Sequence, residues 1–290
     1  GICSGPMTER SQIFAPGLLA GSVCIVSGAG SGMGRASALE LARLGATVVG
    51  CGRRPEPLEE TRGMIEALGG GADAEAMDIR EAEAVDAMVE RVLERHGRID
   101  VLVNNAGGQF LSPAEAISPK GFRTVIDLNV MGTWHMTHAV ATKAFIPSEG
   151  GKVISVTLSP HNGMPGMVHS GAARAAVENM MRTLSVEWSR HNIKLCALAA
   201  GQFDTETMRT KYPAVVVENL ANTIPLGRLG TEEEWAWLVA YLASPAGDFF
   251  SGTTITMDGA RDNWFGRWPP GTYGESGAGS VPAEERRPKS

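Results

Sequence analysis

The chain lacks any apolar run approaching the roughly 20 residues needed to cross a bilayer as a helix. It also lacks an excess of positive charge. With 26 Lys and Arg against 32 Asp and Glu, the net charge is −6, so no electrostatic footprint for nucleic acid or an anionic membrane is present. Cysteine is scarce, at four residues, and Cys3, Cys24, Cys51 and Cys196 form no C-x-x-C pair. Neither a disulfide framework nor a cysteine metal site is expected, and a reducing cytoplasm fits best. His96, His135, His138 and His191 fall on predicted helices or near their ends without a carboxylate cluster, so no metal is expected there either. No internal repeat is visible. What remains is ordinary globular composition: 43% of the 290 residues are hydrophobic and 20% charged, enough apolar material for one large core.

Short apolar runs alternate with helical periodicity along the chain. Val23 to Ser27, Thr47 to Cys51, Ala74 to Ile79, Val101 to Asn104, Lys152 to Thr157, Ile193 to Ala199 and Thr253 to Met257 read as strands. Between them, Arg35 to Leu44 reads as a helix that stops at Gly45. Leu58, Thr61, Ile65 and Leu68 share one helical face, and Val85, Met88, Val89 and Val92 share another. Longer helices are predicted over Phe122 to Ala144, Gly166 to Trp188 and Glu232 to Ala243, the last opened by a capping box of Thr231 and Glu234. Strand–helix alternation with right-handed crossovers predicts an α/β fold: a single doubly wound Rossmann domain, with a mostly parallel seven-stranded sheet and helices on both faces. Residues 1–17 read as a leader or expression scar with an N-terminal arm, 18–260 as the domain, and 261–290 as a Gly/Pro-rich extension. That extension carries Trp264, Phe265 and Trp268 near its start, and its polar end is expected to be disordered.

The first strand runs into SGAGSGMG, Ser27 to Gly34, and then a helix. Gly28, Gly32 and Gly34 allow a tight turn, close approach of backbone to a pyrophosphate, and close helix–strand packing; Ser31 and Met33 complete the loop. The helix N-terminus adds free N–H groups and the positive end of its dipole. The second strand ends in GCGRR, without the carboxylate that accepts hydrogen bonds from the ribose of NAD. Arg53 and Arg54 stand there instead, suited to a 2′-phosphate, so NADP(H) is the expected cofactor.

With these features in order, the stretch from Leu18 to Gly259 resembles the short-chain dehydrogenase/reductase family. The NNAG motif is present as Asn104, Asn105, Ala106 and Gly107. The resemblance implies that Asp78 and Ile79 contact the adenine ring, that Asn129 in DLNVMG is the catalytic asparagine, and that Gly201 and Thr205 meet the nicotinamide end with Asp204. It also implies a homo-oligomer, dimer or tetramer, in which the long helices pair.

The catalytic pattern departs from the family. Aligning SVTLSPHNGMPGMVHSGAARAAV on its final AAV puts Ser170 at the position of the family's tyrosine and Arg174 at that of its lysine. Thr157, or Ser159 with a small gap, takes the serine position. A serine hydroxyl is too weak an acid to replace a phenol, and Arg174 can hold the ribose but cannot give up a proton. Because a general acid contributes a factor of about 100 to 10,000, ordinary ketone reduction is expected to be poor. Hydride delivery to the β-carbon of an enoyl thioester instead makes an enolate, which needs hydrogen-bond donors; Thr157, Ser159 and Ser170 are candidates. HSGAAR followed by LSVEW resembles the trans-2-enoyl-CoA and 2,4-dienoyl-CoA reductases, and Asp262 to Trp264 resembles the enoyl-CoA reductase branch. A carbonyl oxidoreductase with a displaced acid and a non-catalytic NADP(H)-binding protein are the alternatives.

His161 and His169 also stand in this stretch; His169, next to Ser170, suits activating it or serving as proton donor, or else orienting the helix start or facing a neighbouring subunit. Gln202 to Thr223 is the expected lid. Met208, Val215, Val216, Val217 and Leu220 suit an acyl chain or ordinary packing, and Arg209 and Lys211 suit the diphosphate of an acyl-CoA thioester.

Overall fold

The computed structural model describes residues 10–211, 217 and 219–264. The elements in chain order are β1 (Val23–Ser27), α1 (Gly32–Arg43), β2 (Thr47–Gly52), α2 (Pro55–Ala67), β3 (Ala72–Ala76), α3 (Ala82–His96) and β4 (Val101–Asn104). They continue with α4 (Pro119–Ile126), α5 (Gly132–Val140), β5 (Gly151–Leu158), α6 (Val168–Glu187), β6 (Ile193–Ala200), α7 (Glu206–Lys211), α8 (Glu232–Ala243) and β7 (Thr254–Met257). The seven strands form one sheet in the order β3-β2-β1-β4-β5-β6-β7, and every pair is parallel. The expected doubly wound sheet is therefore present, and among the described residues it is wholly parallel.

Alternation along β1 shows how one strand serves two cores. Cys24 and Val26 pack with Leu41 of α1, Ile65 of α2 and Trp235 of α8. Val23 and Ile25 face Met88 of α3, Met136 of α5 and Met181 of α6. The chain leaves β1 toward β2 and β3, then returns to place β4 on the other side. That reversal opens a crevice beyond the carboxyl ends of β1 and β4, where ligands bind in such sheets.

Two predicted elements need correction. The third strand was expected over Ala74 to Ile79 but spans Ala72–Ala76. Its partner β2 ends at Gly52, opposite Ala76, and Asp78 then turns the chain by accepting the Arg80 amide at 3.0 Å. Asp78 and Ile79 thus sit beyond the strand end. The helix expected over Phe122 to Ala144 starts earlier and carries two wide π turns, Asp127–Met131 and Ala141–Phe145, on either side of α5. At the first, the Asn129 side-chain amide donates to the Val125 carbonyl at 2.7 Å, the acceptor that a regular turn would reserve for the Asn129 backbone. Side-chain competition of this kind accompanies the widened turn.

The capping box at α8 is formed as expected. Thr231 Oγ1 accepts from the Glu234 amide at 3.2 Å, and Glu234 Oε2 accepts from the Thr231 amide at 2.9 Å. Cys24, Cys51 and Cys196 are free and buried, and burial raises the pKa of each thiol well above its usual value. No helix among the described residues is long and apolar enough to cross a membrane.

Candidate active site

The glycine-rich loop is built by close backbone contact. Gly28 has φ +70°, and a β-carbon on Gly34 would stand 2.2 Å from the Gly28 carbonyl oxygen. Only glycine lets α1 start this near β1. Ser31 precedes α1 in extended conformation without capping it by its side chain, and the first turn holds no acidic residue. The side chain of Ser31 therefore satisfies none of the first amides of α1. Thr205 packs within 3.8 Å of where a Gly32 β-carbon would lie, and its hydroxyl accepts the Met208 amide at 3.1 Å. Met33 packs against the core.

At the end of β2, Arg53 and Arg54 are exposed, and Arg54 is the residue before α2. The Arg80 guanidinium holds Asp78 below the usual carboxylate range, burial opposes it, and the Arg53 charge assists. Ile79 is buried against the position a Gly132 side chain would take.

Ser27 ties β4 to the loop. Its hydroxyl accepts the amides of Asn105 and Ala106, both at 3.0 Å, and Asn105 Nδ2 donates to the Ser27 carbonyl at 3.0 Å. This knot delivers Gly107 to the interior. A β-carbon there would lie 2.2 Å from Arg174 Nη2 and 2.7 Å from Asn129 Oδ1, so a guanidinium and a carboxamide converge on one glycine. Asn129 is fully buried, exchanging hydrogen bonds with Gly108 at 2.8 and 3.2 Å. Arg174 donates to the Val156 carbonyl at 2.7 Å. Burial lowers its pKa to about 10, which still leaves it a cation near neutrality.

The three hydroxyls proposed as donors are placed differently. Thr157, at the carboxyl end of β5, is buried and its Oγ1 has no hydrogen-bond partner. Ser159 is committed by a short hydrogen bond to Asp258 Oδ2. Ser170 donates to Gln109 Oε1 at 3.3 Å. His169 neither reaches the Ser170 hydroxyl nor faces a neighbour. It is fully buried, accepts the Ser170 amide at Nδ1, and meets Phe110 edge-on at 4.4 Å. Its place is at the helix start. The one tyrosine among the described residues, Tyr241, packs on Phe250 away from this site.

Gly201 closes the site from β6, since a β-carbon on it would stand 2.5 Å from that of Asp258. Gln202 Oε1 is buried without a partner. Arg209, expected at the diphosphate rim, is bound through two 2.7 Å hydrogen bonds to Asp204. Met208 is half-buried. Val215, Val216, Phe265, Trp268 and the side chain of Lys211 lie outside the described residues. No group of His, Cys, Asp and Glu among the described residues has metal-binding geometry.

A family model described as enoyl-(acyl carrier protein) reductase matches residues 28–260. The chain is a short-chain dehydrogenase/reductase. Among curated relatives, a probable 2,4-dienoyl-CoA reductase of Bacillus subtilis is 36% identical over 249 residues, covering 84% of this chain and 97% of that protein. A peroxisomal 2,4-dienoyl-CoA reductase of Rattus norvegicus is 36% identical over 257 residues, covering 87% of this chain and 88% of that protein. A solved citronellol catabolism dehydrogenase of Pseudomonas aeruginosa is 41% identical with a TM-score of 0.78, covering 88% of this chain and 100% of that one. This short-chain dehydrogenase/reductase is thus an oxidoreductase with a nicotinamide cofactor.

Two residues of the candidate site were not singled out from the sequence. Asp258, directly after the last strand, meets Ser159, and Gln109 meets Ser170. Asp258 stands in TMDGA, where position after a strand was a usable signal; Gln109 carried none.

Proposed function

We propose that this protein is an NADPH-dependent reductase that delivers hydride to an α,β-unsaturated acyl thioester of the enoyl-CoA or dienoyl-CoA class. The observation that carries the reading is the unpartnered Thr157 hydroxyl, buried at the end of β5 and next in the chain to Val156, whose carbonyl accepts from Arg174. A hydroxyl of that kind is a poor acid but a good hydrogen-bond donor. It suits a thioester oxygen that gains charge as an enolate, not an alkoxide that must take a proton at once. The dienoyl-CoA reductases among the relatives support the same substrate class.

The residues fit the cofactor: the uncapped α1 amides suit the pyrophosphate, and Gly107, Asn129 and Arg174 make a polar floor beneath the crevice. When bound, NADPH supplies the hydride. Gly28, Ser31, Gly32, Met33 and Gly34 line the diphosphate loop, Arg53 and Arg54 take the 2′-phosphate, and Asp78 and Ile79 flank the adenine. Asn105, Ala106, Gly107, Gly201 and Thr205 border the nicotinamide half. Arg174 holds the ribose, and its fixed charge favours the anionic transition state. Thr157 donates to the substrate oxygen, and Asn129 sets the local hydrogen-bond frame. Ser159 and Ser170 are held in place by Asp258 and Gln109, to which their hydroxyls donate. Water protonates the carbon.

Met131 and Val168, apolar and exposed on the helices expected to pair, support a homo-oligomer. Buried free thiols support a reducing cytoplasm.

Following NADPH absorbance with linear and branched 2-enoyl-CoA and 2,4-dienoyl-CoA esters, beside matched β-ketoacyl-CoA esters and simple ketones, tests the reading. Turnover is expected on the unsaturated thioesters and little on the carbonyl compounds. The citronellol catabolism relative, named a dehydrogenase, favours the carbonyl alternative; robust ketone reduction would establish it instead. Silence on every substrate with NADPH still bound would favour the non-catalytic role.

A further inference from the structure

His161, in the β5–α6 loop, is flanked by two carboxylates from distant parts of the chain. Its Nδ1 faces Asp262 Oδ2, and its Nε2 lies 2.9 Å from Glu178 Oε1 on α6. A neutral imidazole has one N–H and can donate to only one of them, whereas the imidazolium donates to both. Geometry therefore selects the charged ring. Its pKa agrees: burial opposes the charge, but the hydrogen bond to Asp262 and the fields of Glu178 and Asp262 outweigh it and raise the value above the ordinary 6.5. The far oxygen of Glu178 accepts from Thr254 at 3.3 Å and from Arg182 at 3.4 Å.

The same contacts lead to the reaction site. The His161 amide donates to Asp262 Oδ1 at 2.6 Å, and Asn162 Nδ2 donates to the Asp262 carbonyl at 2.8 Å. The Asp262 amide donates at 2.7 Å to Asp258 Oδ2, the oxygen that also holds the Ser159 hydroxyl. One carboxylate oxygen thus receives both the segment after β7 and the serine at the end of β5. Displacing Asp262 shifts the balance at that oxygen and the direction of Ser159.

We propose that His161 is a positioning residue: bridging Asp262 and Glu178, it pins the segment Asp258 to Trp264 onto the β5–α6 loop and, through Asp258, fixes Ser159 and with it the end of β5 that carries Thr157. Asp262 and Glu178 are the two arms of the clamp. Without the cation, three carboxylates (Asp258, Asp262 and Glu178) would crowd one corner with nothing between two of them, and like charges at such range repel. The sign of the pH dependence follows. A folded-state pKa above 6.5 gives a clamp that is complete below that value and is lost as pH rises through the folded pKa.

The turnover arm of the test rests on the reductase reading; the exchange arm does not. Hydrogen exchange at fixed pH on the full chain, comparing wild type with His161→Gln, should show residues 159–163 and 258–264 losing protection together, although about a hundred positions separate them. NADPH affinity should stay within about threefold, since no cofactor contact is changed. With a thioester the wild type reduces, His161→Gln should lower kcat roughly 10- to 100-fold with KM little changed, the size of effect that a small misplacement produces. The wild-type alkaline limb of kcat should move to higher pH in His161→Lys, which keeps a cation between the carboxylates. Protection lost at 159–163 alone, or an alkaline limb unmoved in His161→Lys, overturns the proposal. Should His161→Gln fail to fold, Asp262→Asn carries the same readouts. If wild type turns over no thioester, the functional reading fails while the exchange result still decides the clamp.

Discussion

At the residue scale, the site is a contrast between hydroxyls that are held and one that is not. Ser159 and Ser170 are engaged by Asp258 and Gln109, while Thr157 Oγ1 is buried and unpartnered. An unsatisfied buried hydroxyl costs about 1–3 kcal/mol, and such an expense in a folded protein points to use by a ligand. Thr157→Val keeps the shape and removes the hydroxyl. It should leave the thermal midpoint unchanged or higher while lowering kcat on an unsaturated thioester at least about 10-fold, by analogy with loss of one oxyanion donor. Stability and steady-state rate measured on the same preparation check this; a fall in stability with unchanged rate would show the hydroxyl to be structural. The sequence singled out Ser170 as a candidate, but its engagement by Gln109 was not legible there, because the two are 61 residues apart.

At the element scale, helix ends and interruptions place the chemistry. The π turn at Asp127–Met131 lies within a longer helical rod and presents Asn129 toward Gly107 and Gly108. Apolar periodicity located the rod but could not show the widened turn, since that depends on a side chain reaching the Val125 carbonyl. The opposite case is α8, whose capping box was readable from Thr231 and Glu234 because its partners are three residues apart. Thr231→Ala should destabilise the domain by about 1 kcal/mol, a lowering of the midpoint of roughly 2–4 °C at this size. NADPH affinity should stay unchanged, and calorimetry beside a cofactor titration separates the two effects.

At the scale of the whole molecule, the sheet order sets which surfaces face the crevice. The reversal between β1 and β4 brings the glycine-rich loop, the end of β2 and the NNAG turn to one crevice, the cofactor path proposed above. Arg53 and Arg54 stand at its outer end, and the described surroundings hold Asp78 already engaged by Arg80. Arg53→Ala should weaken NADPH binding roughly 10- to 100-fold, as loss of a charged hydrogen bond of about 1.5–3 kcal/mol implies, and leave NADH nearly unaffected. Titration by cofactor fluorescence measures both, and equal losses for the two cofactors would remove the 2′-phosphate from the account.

The sequence by itself determined what rests on local pattern: strand–helix alternation, the glycine-rich turn, the capping box and the arginines after β2. Each is carried by residues within a few positions of one another, where periodicity, φ preference and side-chain chemistry act directly. Tertiary structure alone decided where β3 ends, because a strand lasts only as long as its partner. It also decided which hydroxyl stays unpartnered and that His161, Glu178, Asp258 and Asp262 form one network. Those contacts join residues up to 101 positions apart, brought together by the parallel sheet, and hydrogen bonds between such residues leave no periodic trace in the chain that makes them.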